Sequence, residues 1–567
     1  MATKCSHSSK RQFRLAAVAL AVLAIGGCES GELPEVAEKV TDDPTPAQYW
    51  EFPPQKQKDV KRTAIYVPDP FRDAEPPPDA GVWSTVTERA VREGNATYFK
   101  HELARTLFEL EHPTVTLEFM HFDFWSPEYK ALLSTSLHSE RSPAFYLARS
   151  LPDSIVDRWY ADITDYLDDW PAARDHPLTL AQGSFGGRIY CLPAEQEQWP
   201  AIMYRKDFFK EAGIFNEFDE PGPPSDWTWR EFREFSRKLT RDTDGDGKTD
   251  RWGFVAEQYK FDLLYTQCMG LIPRLYIPDQ SGEFTWRFNA DDPWLRQAVE
   301  EIREMYLADG SVLTGVDFGW GEKDREFRGG RAAMCAATTA HAPGDYVEKP
   351  FMFGNVETKD VLGMAPYPAD EHRARYLIPN SNMYGFNPTY SPEQLKAAIA
   401  WYRSWVTGYT NKLFLETLQR KNQILERPDP LPRYYLISPY TTETPLATPP
   451  QEDYFPKEYR KAYEIYRATE MLPLPRHFGL GEPVQFYDAL NNMFSELLFA
   501  GESVDVDAVI ASHTGKIQAR CMKFKVENDR EKLKAYYEAL LAYMRRHLPA
   551  DAAAEWESFI ETKCRCW

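Results

Sequence analysis

The segment 241–251 sets Asp242, Asp244, Asp246 and Asp250 around Gly245 and Gly247. A calcium ion takes six to eight oxygens, and loops that hold it supply carboxylates from positions one, three, five and nine and a main-chain carbonyl from position seven. Here those positions are Asp242, Asp244, Asp246, Asp250 and, for the carbonyl, Lys248. Aspartates so closely spaced repel one another without a cation, so a structural Ca²⁺ is expected. Position twelve is Gly253 rather than a bidentate glutamate, so no helix–loop–helix hand is expected. Gly247-Lys248-Thr249 mimics the end of a phosphate-binding loop. The glycine such a loop requires at its start is replaced by Asp242, whose charge would repel a phosphate, and nucleotide binding is rejected. Neither a G-x-S-x-G elbow nor an H-E-x-x-H zinc motif occurs. No catalytic residue is singled out, and the chain is not expected to be an enzyme.

A second kind of chemistry is suggested by aromatics set among polar groups. Sugar rings stack their C–H faces on aromatic planes, while their hydroxyls need carboxylate, amide or guanidinium partners. Trp125, Trp199, Tyr259 and Tyr384, with Glu195, Gln198 and Asn382 nearby in sequence, offer that mixture. Core packing is the plain alternative for each ring, and Trp229, Trp401 and Trp405 are assigned to it.

The elements that must position these groups begin at a β-branched strand, Thr63 to Val67, closed by Pro68-Asp69-Pro70. Phe99, Leu103, Leu107 and Leu110 follow at helical spacing, and Val115, Leu117 and Phe119 at period two. A helix over 129–137 and a strand over 144–148 complete an alternating pattern, which predicts an α/β lobe with a mostly parallel sheet. Ligand-facing loops then follow the carboxyl ends of the strands, at Asp69, at Asp123 and Trp125, and at Arg149. With 567 residues, 43% of them hydrophobic, the chain can build more than one such unit. A net charge of −20 argues against a nucleic-acid partner, which needs a dense cationic field.

Lys4, Lys10, Arg11 and Arg14 precede an apolar stretch from Leu15 to Ile25, too short to span a bilayer, which ends at Gly26-Gly27-Cys28. This resembles the lipobox of bacterial lipoproteins and implies a signal peptide over 1–27, lipidation of Cys28 and export. The protein would then face the periplasm or cell exterior, attached to a membrane through the lipid only. Residues 28–61 are acidic and proline-rich, as suits a tether. Cys191, Cys268, Cys335, Cys521, Cys564 and Cys566 have no metal or disulfide spacing and are expected to be buried thiols.

Gly187-Arg188-Ile189-Tyr190-Cys191-Leu192-Pro193, then Tyr204-Arg205-Lys206-Asp207-Phe208-Phe209 and Ala212-Gly213-Ile214, resemble a segment of the family 1 extracellular solute-binding proteins. Thr228-Trp229-Arg230-Glu231-Phe232, the aspartate loop with Gly253-Phe254, Phe327-Arg328-Gly329-Gly330-Arg331-Ala332-Ala333-Met334 and Asn382-Met383-Tyr384-Gly385-Phe386 follow in the family's order. Arg205 and Cys191 depart from the usual Asn and Gly. The resemblance implies a two-lobed periplasmic-binding-protein-like (class II) α/β fold with a hinge and an interlobe cleft. Lobe one is expected over 62–170 and 364–416, and lobe two over 171–363 and 417–567. It also implies a monomer that presents a carbohydrate, an oligosaccharide given the extra length, to ABC permease subunits. His341 stands where the family often has an aromatic cleft residue. A glycan-binding lipoprotein without a permease, or an exported carbohydrate-active enzyme, would share much of this sequence pattern.

Overall fold

The computed structural model describes residues 63–68, 108, 112–120, 129–137, 139, 142–148, 158–193 except 177, 200–256, 268–281, 286–313, 320–338, 352–353, 356–377, 383–406, 456–470, 472–473, 490–498 except 491, 501, 503–519 and 530–566. All belong to one unit, Gln57–Trp567. Its main strands are β1 (Thr63–Pro68), β2 (Val115–Met120), β3 (Phe145–Leu147), β4 (Cys191–Pro193), β5 (Pro200–Arg205), β6 (Trp252–Val255), β7 (Val312–Leu313), β8 (Ala332–Thr338), β9 (Leu362–Pro366) and β10 (Met383–Phe386).

They form two sheets of matching order. In lobe one, β2 and β1 run parallel, a parallel bridge between Tyr66 and Pro143 joins β1 to the β3 end, and β10 lies antiparallel between β3 and β4. In lobe two the order is β7-β6-β8-β5-β9, with β5 antiparallel to both neighbours. The odd strand of each sheet is thus the one that the chain enters after leaving the other lobe: β5 after β4, and β10 after β9. The fold is the two-lobed α/β class expected from the sequence.

The lobe boundaries differ from the expected ones. Trp170, Ala173, Phe185, Ile189, Cys191 and Leu192 pack in the same core as β3 and β10, so residues 171–193 belong to lobe one. β9 pairs with β5, so residues 362–377 belong to lobe two. The crossings therefore fall at 194–199 and 378–382. The reason is strand pairing: Cys191 and Leu192 lie opposite Gly385 and Tyr384, far away in sequence.

Local chemistry explains the helices that hold the lobes. In lobe one, α1 (Tyr129–Ser136) supplies Leu133 to the core. In lobe two, α2 (Lys206–Glu211) follows β5 directly. α3 (Trp229–Leu239) starts at a capping box in which Thr228 Oγ1 accepts from Glu231 N at 3.3 Å and Glu231 Oε2 accepts from Thr228 N at 2.7 Å. It lies so close on β6 that a Cβ at Gly253 would stand 1.9 Å from the Ser236 carbonyl oxygen, which makes glycine the residue that fits there. α4 (Trp320–Arg328) leads into β8, whose Ala332–Ala337 run is buried on both faces, as a central strand requires. α5 (Pro392–Val406) returns along lobe one, α6 (Lys457–Ala468) packs on β9, and α7 (Arg530–His547) puts Tyr537, Leu540, Tyr543 and Met544 into the lobe-two core. Cys191, Cys268, Cys335 and Cys564 are buried free thiols and Cys566 is a half-buried one, as expected; Cys521 lies outside the described residues. Trp229 and Trp401 are core residues.

Candidate functional site

In lobe two, the parallel strands β6, β7 and β8 end at Val255, Leu313 and Thr338, and Thr338 pairs with Pro200, where β5 begins. β9 ends at the same edge, with Pro366 opposite Ala201. In lobe one, β1, β2 and β3 end at Pro68, Met120 and Leu147; Ala148 N donates to Met383 O at 2.7 Å, where β10 begins, and β4 ends at Pro193 opposite Met383. Each sheet therefore turns the carboxyl ends of its parallel strands toward its crossing segments, the place where α/β sheets bind ligands.

The expected contact residues follow or precede these ends in sequence. Asp69, Asp123, Trp125, Arg149, Glu195, Gln198, Trp199, Tyr259, His341 and Asn382 lie outside the described residues, as does Cys28. Tyr384 is described, on β10, with its ring 5.9 Å from Phe145 and 6.1 Å from Tyr402. It is only 8% exposed and packs in the lobe-one core, so packing, not an open stacking face, is its visible role.

The aspartate loop is closed at its neck by the Arg241–Arg251 bridge, and Arg251 grips Glu211 of α2 through Nη1 and Nη2 at 2.8 and 3.0 Å. Gly245 and Gly247 hold φ values of +82° and +86°, left-handed conformations that favour glycine. They let the loop curl around Asp242, whose two oxygens accept from Gly245 N at 2.6 Å and Gly247 N at 2.8 Å. Asp250 Oδ2 accepts from the Thr243 hydroxyl at 2.6 Å, Thr243 N at 2.7 Å and Asp244 N at 3.3 Å. The Thr243 hydroxyl and amide hold the Asp250 carboxyl below the usual range, so it stays ionised. One oxygen each from Asp242, Asp244 and Asp250 lies within 4.8 Å of the others, a spacing that three ligands of one cation would have. The trio is smaller than the expected set. Asp246 stands outside it, its Oδ1 2.8 Å from Lys248 N and its Oδ2 3.3 Å from Lys248 Nζ.

Beside this loop is a groove of about 570 Å³ walled by Arg205, Arg251, Arg328, Phe208 and Phe353. It sits at the end of the lobe-two sheet opposite the crossings, since Arg205 closes β5 and Gly330 precedes β8. Each guanidinium already has a carboxylate: Arg205 faces Asp207, Arg251 faces Glu211 and Arg328 faces Asp324. Arg205 and Arg251 also lie over the Phe208 ring at 4.6 and 4.2 Å. The groove is thus lined by stacked, charge-balanced guanidinium groups.

Two tyrosines that the sequence did not single out bond to strand ends. Tyr390 Oη accepts from Tyr66 N at 3.1 Å and donates to Ser142 O at 2.9 Å. Tyr466 Oη accepts from Tyr367 N at 2.8 Å and donates to Pro200 O. The helical spacing of Tyr459, Tyr463 and Tyr466 was the available signal for the second.

Residues 147–404 match the family described as bacterial extracellular solute-binding proteins. No curated protein matches the sequence. Among solved structures, an ABC substrate-binding protein from Listeria monocytogenes, in complex with cycloalternan, is 14% identical with a TM-score of 0.51, over 74% of this chain and 95% of that one. The GacH receptor of Streptomyces glaucescens, studied unliganded and with acarbose, is 16% identical with a TM-score of 0.50, over 81% and 98%. A sugar transporter protein from Rhizobium etli in an open conformation is also 16% identical with a TM-score of 0.50, over 81% and 99%. At these identities the likeness establishes the fold. No helix among the described residues is long and apolar enough to cross a membrane.

Proposed function

Starting from the match of residues 147–404 to the bacterial extracellular solute-binding family, we propose that this chain is a lipid-anchored substrate-binding protein of an ABC importer. It takes a carbohydrate, an oligosaccharide in our reading, between its lobes and hands it unaltered to permease subunits. The observation that carries this is the paired sheet topology, in which both lobes aim the ends of their parallel strands at the crossings. A ligand held there touches both lobes only when they approach, so binding favours the closed form that a permease can recognise. Cycloalternan and acarbose, bound by two of the structural relatives, support a saccharide. Cys28 carries the lipid in this reading, and residues 28–61 the tether.

Asp242, Asp244 and Asp250 would hold a structural Ca²⁺, with water and main-chain oxygens completing the shell. The ion would offset the mutual repulsion of three carboxylates and stiffen the loop, away from the ligand. Three ionised carboxylates at this spacing fit a hard divalent cation.

A thermal-shift screen with maltose, maltotriose, cycloalternan and acarbose, each followed by chromatography of the recovered sugar, tests the function. A ligand at a hundredfold excess over Kd adds about 2.7 kcal/mol of stability. The expected result is a raised Tm with the sugar recovered intact. A converted sugar would instead establish an enzyme, and no shift across a wider glycan panel would defeat the carbohydrate reading. Loss of the protein from the membrane fraction on Cys28→Ser checks the anchor.

A further inference from the structure

We propose that Cys564 and Cys566 are a redox-active pair, a site where a disulfide oxidant closes an intrachain bond across Arg565. The C-terminal helix α8 (Ala550–Phe559) runs on into one wider turn, Ile560–Cys564, which ends where Arg565 becomes extended with φ −66° and ψ 107°. Arg565 N donates to Ile560 O at 3.1 Å, which closes that turn and fixes the start of the step to Cys566. With those angles and Cα steps of about 3.8 Å, the Cα atoms of Cys564 and Cys566 are about 6 Å apart, inside the range of roughly 4.4–6.8 Å that a disulfide spans.

Both thiols turn toward the same core. Cys564 is buried in the lobe-two core, and Cys566 is half-buried against it. Arg565 between them is exposed and pairs with Glu561, so the three residues alternate in, out and in. Tyr537 of α7 meets both cysteines: burial first, and then the thiols of Cys564 and Cys566, push its phenol well above the usual range. Among the described cysteines the pairing has no competitor. Cys191 lies in the core of lobe one, Cys335 in β8 bonds Ala336 O at 3.4 Å, and Cys268 has Arg375, Asp370 and Tyr466 around it rather than a thiol.

The oxidant is a disulfide, RS–SR, of the kind that an exported chain meets. Cys566, the more accessible thiol, gives up its proton, and its sulfur attacks one sulfur of the oxidant and releases the first RS⁻. Cys564 then gives up its proton and attacks the Cys566 sulfur, releasing the second RS⁻. Two thiols and one RS–SR thus become one intrachain disulfide and two RSH, the released thiolates taking up the two protons. The closed pair ties the last turn of α8 to the step beyond it. It also removes the accessible thiol at Cys566, through which two copies of the chain could otherwise couple.

In the cell this step rests on the export proposed above, whereas the chemistry of the pair does not, and the experiment separates the two. The reduced full chain is incubated with oxidised glutathione, quenched in acid, unfolded and alkylated. The peptide 562–567, released by cleavage after Glu561, is then weighed. The expected peptide lacks two hydrogens and carries no alkyl group, and it becomes doubly alkylated when reduced beforehand. Cys564→Ser, which removes the resolving thiol, should instead retain glutathione on Cys566, and Cys566→Ser should leave the buried Cys564 unoxidised. If Cys564→Ser does not fold, Cys564→Ala takes its place, and the wild-type peptide decides by itself if neither folds. A wild-type peptide alkylated at both cysteines, or one that retains glutathione, or either cysteine bonded elsewhere in the chain, overturns the proposal. In a separate arm, the same peptide is weighed from protein alkylated directly on recovery from cells. A peptide that is reduced there yet closes with glutathione counts against export and leaves the pair standing.

Discussion

The buried ion pair between Lys206 and Glu458 should behave asymmetrically on mutation. Lys206 is the first residue of α2 and Glu458 lies in the first turn of α6. Their side chains are 10% and 7% exposed, with Nζ 2.5 Å from Oε1, and Nζ also donates to the Lys359 carbonyl at 3.2 Å. At that separation and an effective dielectric of about 20 the gross attraction is about 7 kcal/mol. Several kcal/mol of desolvation per ion offset most of it, so the net worth of the pair is small. Glu458→Gln keeps the volume but leaves the ammonium without a counter-charge, which should cost about 3–5 kcal/mol. Lys206→Met with Glu458→Leu removes both charges at similar volume and should fall within about 1 kcal/mol of wild type. Urea titration followed by tryptophan fluorescence reads both, since Trp227 and Trp229 are buried in the lobe-two core. The reasoning is refuted if Glu458→Gln loses less than about 1 kcal/mol, or if the double variant is as unstable as the single one.

Four further outcomes are expected. Gly253→Ala drives a Cβ to 1.9 Å from Ser236 O, a backbone atom that cannot swing away, and should cost about 3 kcal/mol or more in a thermal melt. Gly515→Ala, in a helix with nothing within 4 Å, should gain up to about 1 kcal/mol. Adding Ca²⁺ to chelator-treated protein should raise the Tm, and Asp242→Asn or Asp250→Asn should abolish the gain while Asp246→Asn retains it; equal effects of all three would sink the three-carboxylate assignment. Burial pushes the Tyr390 phenol up to about 12. The unfolded phenol ionises near pH 10, so this stabilisation is complete below that pH and is lost between pH 10 and 12. It amounts to about 3 kcal/mol, and Tyr390→Phe should show a correspondingly flatter loss of stability over that window.

Some of this was legible because the signal is local. The α3 start reads directly from Thr228 and Glu231, three residues apart, since a capping box needs no distant partner. The aspartate loop reads from the alternation of carboxylates with glycine. What failed was non-local. Cys191 to Pro193 look like the opening of a second lobe until Met383 to Gly385 are seen to pair with them.

The gathering of the strand ends at one edge follows from the way the chain crosses. Because each crossing delivers a strand antiparallel to the rest, that strand starts at the edge where the parallel strands end. Crossing segments and strand-end loops are thereby forced onto one edge of each sheet, whatever their side chains. A sequence with this strand order can therefore reveal where a ligand sits long before it reveals what the ligand is, since the order is written in core residues and the contacts in loops. The groove beside the aspartate loop illustrates the converse. It is concave and rich in arginine, yet it lies about 17 Å along β5 from the crossing edge, at about 3.3 Å of rise per residue. Each arginine there is matched by a carboxylate, so the groove offers an anion little uncompensated positive charge.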